Sequence, residues 1–194
     1  MSAAATLIIL AGGESKRMGQ PKHLLTTPRG ETIIEHLVTE LGRLFDETLI
    51  VGRNLPIPPA NVRMVEDTQL VRSPLVGIYS GLLAAKTVLS FVVACDMPFV
   101  RGELVEYIVS RSCNVDVCVP LVRGYYEPLC AAYRQSAIPA IARAIERGVF
   151  KVTAPYSALN LRLISEEEIR LFDPGLASFT NLNVPRQLPL LTQI

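Results

Sequence analysis

The amino-acid sequence predicts an α/β fold, in which a mostly parallel β-sheet carries helices on both faces. Apolar runs of strand length alternate along the chain with segments whose apolar residues recur at helical spacing. The strongest runs contain few polar residues, as expected for parallel strands that are buried on both faces. Such an alternation of strands and helices is typical of a parallel sheet covered on each side.

Each element follows from its local pattern. Strand patterns lie at 6–10, 48–52, 62–65, 88–95 and 116–120, and a further apolar run lies at 127–133. Helical spacing predicts helices at 31–45, 74–87, 102–111 and 136–147, the last ending at Gly148. Gly77 and Gly81 share one face of the second helix, where a neighbouring element can approach closely. Ser165 and Glu168 have the spacing of a capping box and predict a further short helix.

The composition excludes several classes of protein. The chain has 194 residues without repeats or a linker, which predicts a single domain over 1–194. A net charge of +1 and the absence of Trp argue against binding to nucleic acid or an anionic membrane. None of the four cysteines forms a C-x-x-C pair and there are two histidines, which argues against zinc. We expect no signal peptide and no membrane span, and therefore a cytoplasmic protein.

Positive charge is concentrated beside two adjacent glycines. Residues 5–22 read ATLIILAGGESKRMGQPK, so a predicted strand ends at Gly12-Gly13 and is followed by three cations. The first 29 residues contain four cations and one acid, which leaves a charge of −2 for the rest of the chain. In open α/β sheets, ligands bind beyond the carboxyl ends of the strands, so this segment is a candidate site for an anion.

This loop matches neither of two common phosphate-binding motifs. Gly19 is followed by Gln20 rather than by the Lys of a Walker A motif, and Gly12-Gly13 breaks the spacing of the dinucleotide-binding motif. Glycines nevertheless allow close approach of a base or phosphate, while Arg17 and Lys22 supply donors to phosphate oxygens. The alternative is a tight turn followed by a solvated basic loop.

Polar residues at other predicted strand ends point to a metal and a nucleotide. Asp96 follows the strand at 88–95, and Mg²⁺ is commonly held by one or two carboxylates together with substrate phosphates. The alternative for Asp96 is a turn or helix cap. Asp67 ends the short strand at 62–65 and is equally compatible with a solvated turn. Asn181 and Asn183 would share one face of an extended tail, although such a motif by itself is usually part of a turn.

Taken together, these segments resemble the motif series of the molybdenum cofactor guanylyltransferases. The matching segments are LAGGESKRMGQPK, VEDTQLVRSPLVGIYSGL, VVACDMPF and FTNLNVP, and they extend from residue 7 to residue 185. The resemblance implies a three-layer Rossmann-like nucleotidyltransferase fold with a mostly parallel central sheet. It also implies Mg²⁺-dependent transfer of GMP from GTP to the terminal phosphate of molybdopterin, with release of pyrophosphate.

The resemblance implies a role for each matching residue. Leu10, Ala11, Gly12 and Gly13 would hold the guanine end of GTP, and Arg17 and Lys22 would face the triphosphate. Asp67 would lie near the nucleoside, Asp96 would bind Mg²⁺, and Asn181 and Asn183 would lie by the pterin phosphate and the metal. The N-terminal part of the domain would bind the nucleotide and the C-terminal part the acceptor. Other cofactor-biosynthesis or acceptor proteins would be further partners.

Three positions depart from the family pattern. Pro21 stands where the family usually has an acidic residue, and G-x-P-K is closer to the branch that uses CTP, whereas Gly12-Gly13 favours guanine. Ser73 replaces a common Gly, and Gly52 lies where an Asn is frequent, with Asn54 two residues later. A CTP-dependent enzyme, transfer to another phosphorylated acceptor, and a non-catalytic nucleotide-binding partner are therefore the alternatives.

Overall fold

The computed structural model describes residues 4–12, 25–53, 58, 61–66, 71, 73–182, 189, 191 and 192. The strands are β1 (Ala5–Leu10), β2 (Glu47–Val51), β3 (Val62–Val65), β4 (Leu89–Ala94), β5 (Val117–Val122), β6 (Tyr125–Tyr126), β7 (Cys130–Arg134) and β8 (Leu161–Ile164). The α-helices are α1 (Ile33–Leu41), α2 (Pro74–Ala84), α3 (Gly102–Ser110), α4 (Ile138–Glu146) and α5 (Glu166–Arg170).

The eight strands in the described part of the chain form one sheet. The strand order is β3-β2-β1-β4-β7-β5-β6, and β8 pairs with β5. Strands β3, β2, β1 and β4 are parallel neighbours, β5 and β8 are parallel, and β7 runs antiparallel between β4 and β5. The prediction of a mostly parallel central sheet is therefore confirmed.

The antiparallel strand β7 was not anticipated from the apolar run at 127–133. Only residues 123–129 separate β5 from β7, and parallel neighbours need a crossover of a dozen residues or more. The chain instead turns back at Arg123 and Gly124, whose φ angles of 51° and 82° are both positive. Positive φ at both central residues is characteristic of a two-residue hairpin, and this hairpin pairs β5 with β6.

Apolar residues on the two faces of the sheet form separate cores. Leu7 and Ile9 of β1 face the layer that contains α1, α3 and α5. Ile8 and Leu10 face the layer that contains α2 and α4. The molecule therefore has three layers, as expected for a sheet whose strands are buried on both sides. Within the described residues, no helix is long and apolar enough to cross a membrane.

Helix boundaries are set by side-chain caps. Helix α1 begins after Thr32, which forms a capping box with Glu35, and the predicted capping box of Ser165 and Glu168 starts α5. The predicted helix at 31–45 is longer than α1 because Gly42–Leu44 continue as a 3₁₀ turn. Helix α2 begins at Pro74, as predicted, and ends at Ala84 rather than at residue 87.

Gly81 brings α2 against the middle of β1. A Cβ atom at this position would lie 2.8 Å from Cγ2 of Ile8 and 3.3 Å from Cγ2 of Val51. Both neighbours are buried side chains in the core that α2 shares with the sheet. The close approach predicted from the glycine pattern is thus present at Gly81, and it places α2 against the middle of β1 and the last residue of β2.

Candidate active site

The candidate site lies where the direction of the sheet connections reverses. The chain proceeds from β1 outward to β2 and β3, and then returns through α2 to β4 on the opposite side of β1. At the carboxyl end of β1, Leu10 is paired with Val51 of β2 and with Ala94 of β4. A reversal of this kind opens a crevice outside the carboxyl ends of the strands, where α/β sheets bind their ligands.

The segment 11–22, which contains Gly12 and Gly13, is called the glycine loop below. It begins at this crevice with Ala11 and Gly12. The Ala11 amide donates a hydrogen bond to the Val51 carbonyl at 2.8 Å, and the Cys95 amide donates to the Leu10 carbonyl at 3.0 Å. These bonds fix Leu10 and Ala11 between the ends of β2 and β4, while Gly12 is exposed. Three further predicted site residues, Gly13, Arg17 and Lys22, lie outside the described residues.

Asp96 lies at the same edge, one residue beyond the bond between Cys95 and Leu10. The Met97 amide donates to the Ala94 carbonyl at 3.1 Å, so the chain turns sharply at Asp96. The Asp96 residue is partly exposed. Asp96 therefore follows the strand at the same edge as Leu10 and Ala11, and its role as a ligand of a metal in the crevice stays a prediction.

The tail segment returns to this point. The Leu182 amide donates a 2.8 Å hydrogen bond to the Asp96 carbonyl, and the Leu182 side chain is fully buried. Asn181 is therefore held one residue from a direct contact with Asp96, and it is partly exposed. Asn183 lies outside the described residues. The structure thus brings together five predicted site residues: Leu10, Ala11, Gly12, Asp96 and Asn181.

The donor atoms at this edge suit a hard cation. No group of three His, Cys, Asp or Glu side chains suitable for a metal occurs in the part of the chain that the structure describes. Asp96 carries a carboxylate and Asn181 an amide oxygen, and Mg²⁺ is usually bound by one or two protein carboxylates with substrate phosphates completing its shell. The residues present therefore fit a magnesium ion that is bound together with a phosphorylated substrate.

The neighbouring strand ends are partly described. Asp67 lies outside the described residues, and so does Asn54. Glu66, which precedes Asp67, is exposed after β3, and the Gly52 amide donates to the Val65 carbonyl at 3.1 Å. Gly52 therefore continues the pairing of β2 with β3.

Ser73 has a clear structural role that the sequence did not indicate. Its hydroxyl accepts a hydrogen bond from the Leu75 amide at 3.2 Å and donates to the Phe150 carbonyl at 3.0 Å. The first bond caps the N-terminus of α2, and the second ties that terminus to the segment after α4. A glycine has no side chain with which to form either bond, so this departure from the family pattern adds a local connection beside the crevice.

A hairpin that the sequence did not predict projects from the same edge. Strand β5 runs parallel to β4, so Val122 and the following turn lie at the carboxyl edge. The Tyr125 residue is 75% exposed at this turn. Glu127 is half-buried, and burial raises the pKa of its carboxyl group. The Ala94 amide donates to the Leu129 carbonyl at 3.1 Å, which fixes the hairpin base beside the strand that leads to Asp96.

Three tyrosines hold this hairpin in place. The hydroxyl of buried Tyr133 donates to the Pro128 carbonyl at 2.8 Å and lies 2.9 Å from the Tyr156 hydroxyl. The Tyr126 ring packs edge-on against the Tyr156 ring, with 5.4 Å between centroids. Burial raises the pKa of the Tyr133 and Tyr156 hydroxyls, so both stay neutral and can donate hydrogen bonds.

A second hollow lies on the α1 side of the sheet. This cavity of about 410 Å³ is lined by residues of α1, by the loop from Pro98 to Gly102, and by Arg29 and Glu103. Its lining contains basic and acidic side chains in similar number and none of the five predicted site residues named above. The crevice at the ends of β1 and β4 is therefore the candidate active site.

The fold is that of the nucleotidyltransferases as a class. Among solved structures, molybdopterin-guanine dinucleotide biosynthesis protein A from Archaeoglobus fulgidus matches with a TM-score of 0.83 and 28% identity, over 97% of each chain. The 2-C-methyl-D-erythritol 4-phosphate cytidylyltransferase of Thermus thermophilus shares the fold, with a TM-score of 0.70 and 18% identity over 96% of each chain.

Sequence comparison narrows the class to one family. The model of the MobA-like NTP transferase domain matches residues 7–160. A molybdenum cofactor guanylyltransferase from Desulfosudis oleivorans is 36% identical over 188 residues, which cover 95% of this chain and 93% of the relative. This chain therefore belongs to the molybdenum cofactor guanylyltransferase family, and the resemblance noted from its motifs is confirmed.

Proposed function

We propose that this protein transfers GMP from GTP to the terminal phosphate of molybdopterin, in a Mg²⁺-dependent reaction that gives the guanine dinucleotide cofactor and pyrophosphate. The observation that carries the proposal is the meeting of Gly12, Asp96 and Asn181 at the reversal point of the sheet. Family membership supports the choice of substrates. We propose a cytoplasmic location, where GTP is available.

Electrostatic repulsion is the main obstacle to this reaction. The phosphate of the acceptor must approach the α-phosphate of GTP, and both are anionic. Two unit charges about 4 Å apart repel by roughly 4 kcal/mol at an effective dielectric constant near 20. When bound, Mg²⁺ neutralises part of this charge and stabilises the pyrophosphate leaving group. Asp96 is the protein ligand that holds it at the crevice.

The remaining predicted residues divide between the two substrates. Leu10, Ala11, Gly12 and Gly13 hold the guanine end, and Asp67 lies near the nucleoside. Arg17 and Lys22 contact the triphosphate and stabilise the charge that develops in the transition state. Asn181 and Asn183 orient the acceptor phosphate beside the metal.

The chemistry requires positioning more than proton transfer. The attacking phosphate is already ionised near neutral pH, because the second pKa of a phosphate monoester is about 6. No general base is therefore needed to generate the nucleophile. The contribution of the protein is to hold two anions in line and to offset their charge, as in other phosphoryl-transfer sites.

We assign the acceptor side to the C-terminal part of the single domain 1–194. The hairpin around Tyr125 supports this assignment, because its first strand, β5, is the second strand from β4 and reaches the same edge. The separation of β5 from β4 is roughly 10 Å, since neighbouring strands are about 4.8 Å apart. An acceptor whose phosphate lies at Asp96 can place its pterin ring over this hairpin.

The hairpin assignment is tested with matched substitutions. We expect Tyr125→Ala to raise the KM for the acceptor about threefold to tenfold, the range of a single aromatic contact, with the KM for GTP unchanged. Val88→Ala is the control, because Val88 is also exposed but precedes β4 at the opposite edge of the sheet. Equal acceptor KM values for Tyr125→Ala and wild type would place the acceptor elsewhere.

The reaction itself is tested with each nucleoside triphosphate, Mg²⁺ and molybdopterin, by measuring pyrophosphate and the dinucleotide product. We expect release with GTP. The Gly-Gln-Pro-Lys segment favours the CTP-dependent alternative, and release with CTP but not GTP would establish it. If product forms with a sugar phosphate but not with molybdopterin, the acceptor is a sugar phosphate. Saturable GTP binding without pyrophosphate release would support a non-catalytic nucleotide-binding partner.

A further inference from the structure

Asp173 is a fully buried carboxylate that the reaction does not use directly. It follows α5, and its side chain has no exposed surface. Oδ1 accepts a hydrogen bond from the Ala177 amide at 3.1 Å, and Oδ2 accepts one from the Ser178 amide at 2.7 Å. The Arg101 guanidinium lies 3.5 Å from Oδ1. These partners compensate for the burial of the charge.

The amides that Asp173 binds belong to the segment that leads to Asn181. Ala177–Phe179 form a 3₁₀ turn, entered through Leu176 in the left-handed conformation with φ of 57°. A left-handed backbone is unfavourable for leucine, so the surrounding contacts must maintain it. Asp173 is therefore the anchor of this turn, and the turn determines where the following residues emerge.

The same turn is tied to the loop that carries Asp96. The Arg101 amide donates to the Ser178 hydroxyl at 3.2 Å, and the Leu182 amide donates to the Asp96 carbonyl at 2.8 Å. Arg101 thus contacts the tail segment at Ser178 and Asp173, five residues after Asp96. Two hydrogen bonds therefore join the segment 96–101 to the segment 178–182, and these segments carry the two proposed oxygen donors.

We propose that Asp173 is a positioning residue, which fixes the Asn181 side chain relative to Asp96 through the Ser178 turn. This inference concerns the same site as the proposed function. It rests on the roles proposed above for Asp96 as a metal ligand and for Asn181 beside the acceptor phosphate. An acidic residue is required because it accepts two amide hydrogen bonds while facing a guanidinium. An asparagine offers one acceptor oxygen and turns its NH₂ group toward another donor.

The physical coupling is measured without any substrate. We expect Asp173→Asn to increase hydrogen exchange at the Leu182 amide at least about tenfold, because the turn that holds this amide is loosened. The Val93 amide in β4 is the internal reference and should keep its exchange rate. Unchanged exchange at Leu182 in Asp173→Asn would overturn the proposal, whether or not the protein transfers GMP.

The kinetic consequence is measured in the assay of the proposed reaction. We expect Asp173→Asn to lower kcat about tenfold to hundredfold, the loss expected from misplacing a substrate-orienting group by about 1 Å. It should also raise the Mg²⁺ concentration that gives half-maximal rate, while leaving the Kd for GTP without metal unchanged. If wild-type protein transfers no GMP, the proposed function fails, and the exchange measurement still tests the coupling.

A double variant separates positioning from general weakening of the fold. If Asp173 acts through Asn181, then Asp173→Asn combined with Asn181→Ala should be no slower than Asn181→Ala alone. If the losses in kcat caused by the two single substitutions multiply in the double variant, the proposal is contradicted. Glu47→Gln is the matched control, because Glu47 likewise accepts a backbone amide and faces an arginine, but at the opposite edge of the sheet. It should leave the Mg²⁺ dependence unchanged.

Discussion

The two edges of the central sheet use carboxylates in different ways. At the amino edge, Glu47 accepts hydrogen bonds from the Thr6 hydroxyl at 3.0 Å, the Arg63 guanidinium at 2.8 Å and the Lys86 amide at 2.9 Å. At the carboxyl edge, Asp96 is partly exposed, and its carbonyl accepts a hydrogen bond from the Leu182 amide at 2.8 Å. At the first edge a carboxylate joins neighbouring strands, and at the second we propose that a carboxylate binds Mg²⁺.

This difference follows from the direction of the parallel strands. At the amino ends of the parallel strands the chain enters the sheet. Polar residues there mainly form hydrogen bonds between neighbouring strands. At the carboxyl ends the chain leaves the sheet, and the reversal at β1 opens a crevice. Substitutions at the amino edge should therefore change stability, whereas substitutions at the carboxyl edge should change catalysis.

The largest effect is expected at Asp96. We predict that Asp96→Ala lowers kcat at least about 100-fold, because it removes the proposed protein ligand of Mg²⁺, which would stabilise the leaving group. The urea midpoint should change little, since Asp96 is partly exposed. Pyrophosphate release in a steady-state assay gives the first quantity and circular dichroism the second. Turnover at the wild-type rate would remove Asp96 from the mechanism.

A large effect on stability is expected at Gly81, which contacts the sheet between its two edges. Gly81→Ala would place a methyl group 2.8 Å from Cγ2 of Ile8, which is buried and branched and cannot move freely. We predict a loss of about 1–3 kcal/mol in the free energy of unfolding, measured by urea denaturation. The control is Leu83→Ala, since Leu83 is exposed on the same helix. Equal stability of the two variants would contradict this account of α2 packing.

A pH-dependent effect is expected at Glu47. Although burial raises the pKa of its carboxyl group, hydrogen bonds from Lys86, Arg63 and Thr6 hold that pKa below the ordinary value of 4.5. A lowered folded-state pKa stabilises the protein above pH 4.5, and this contribution is lost as the pH falls through the folded-state pKa. Glu47→Gln should be less stable at pH 7, with a smaller further loss on acidification. Parallel stability curves for the two proteins would contradict this.

The smallest effect is expected at Thr6. Thr6→Val keeps the shape of a buried side chain but removes its hydrogen bonds with Glu47 and Thr87. We predict a loss of about 1 kcal/mol in the free energy of unfolding, with kcat unchanged. A reduced kcat at this position would mean that the amino edge influences catalysis, and the separation of the two edges would be wrong.

Local sequence patterns predicted most of the elements because periodicity and caps act over a few residues. The strand at 62–65, the start of α2 at Pro74 and the capping box at Ser165 are found as predicted. The direction of β7 was missed, because it depends on the length of the connection after β5 rather than on the apolar run itself. Gly124 between two apolar runs was the available signal for that hairpin.

Only two sequence signals predicted site residues: a polar residue that follows a predicted strand, and a match to the family motifs. The position of Asp96 was predictable because a carboxylate after a buried strand must lie at the edge of the sheet, and its role as a metal ligand stays a prediction. Asp173 was missed, because its partner Arg101 is distant in sequence and their meeting depends on the tertiary fold. The role of Ser73 was missed for the same reason, since Phe150 is 77 residues away.

We propose that a cationic glycine loop and a metal-binding aspartate face each other across one crevice. A crystal structure with Mg²⁺ and a non-hydrolysable GTP analogue tests it most directly. We predict that the metal is bound by Asp96, that Lys22 contacts the triphosphate from the other side, and that the base lies along Leu10–Gly13. A triphosphate bound away from Asp96, or Lys22 and Asp96 on opposite sides of the molecule, would contradict the account.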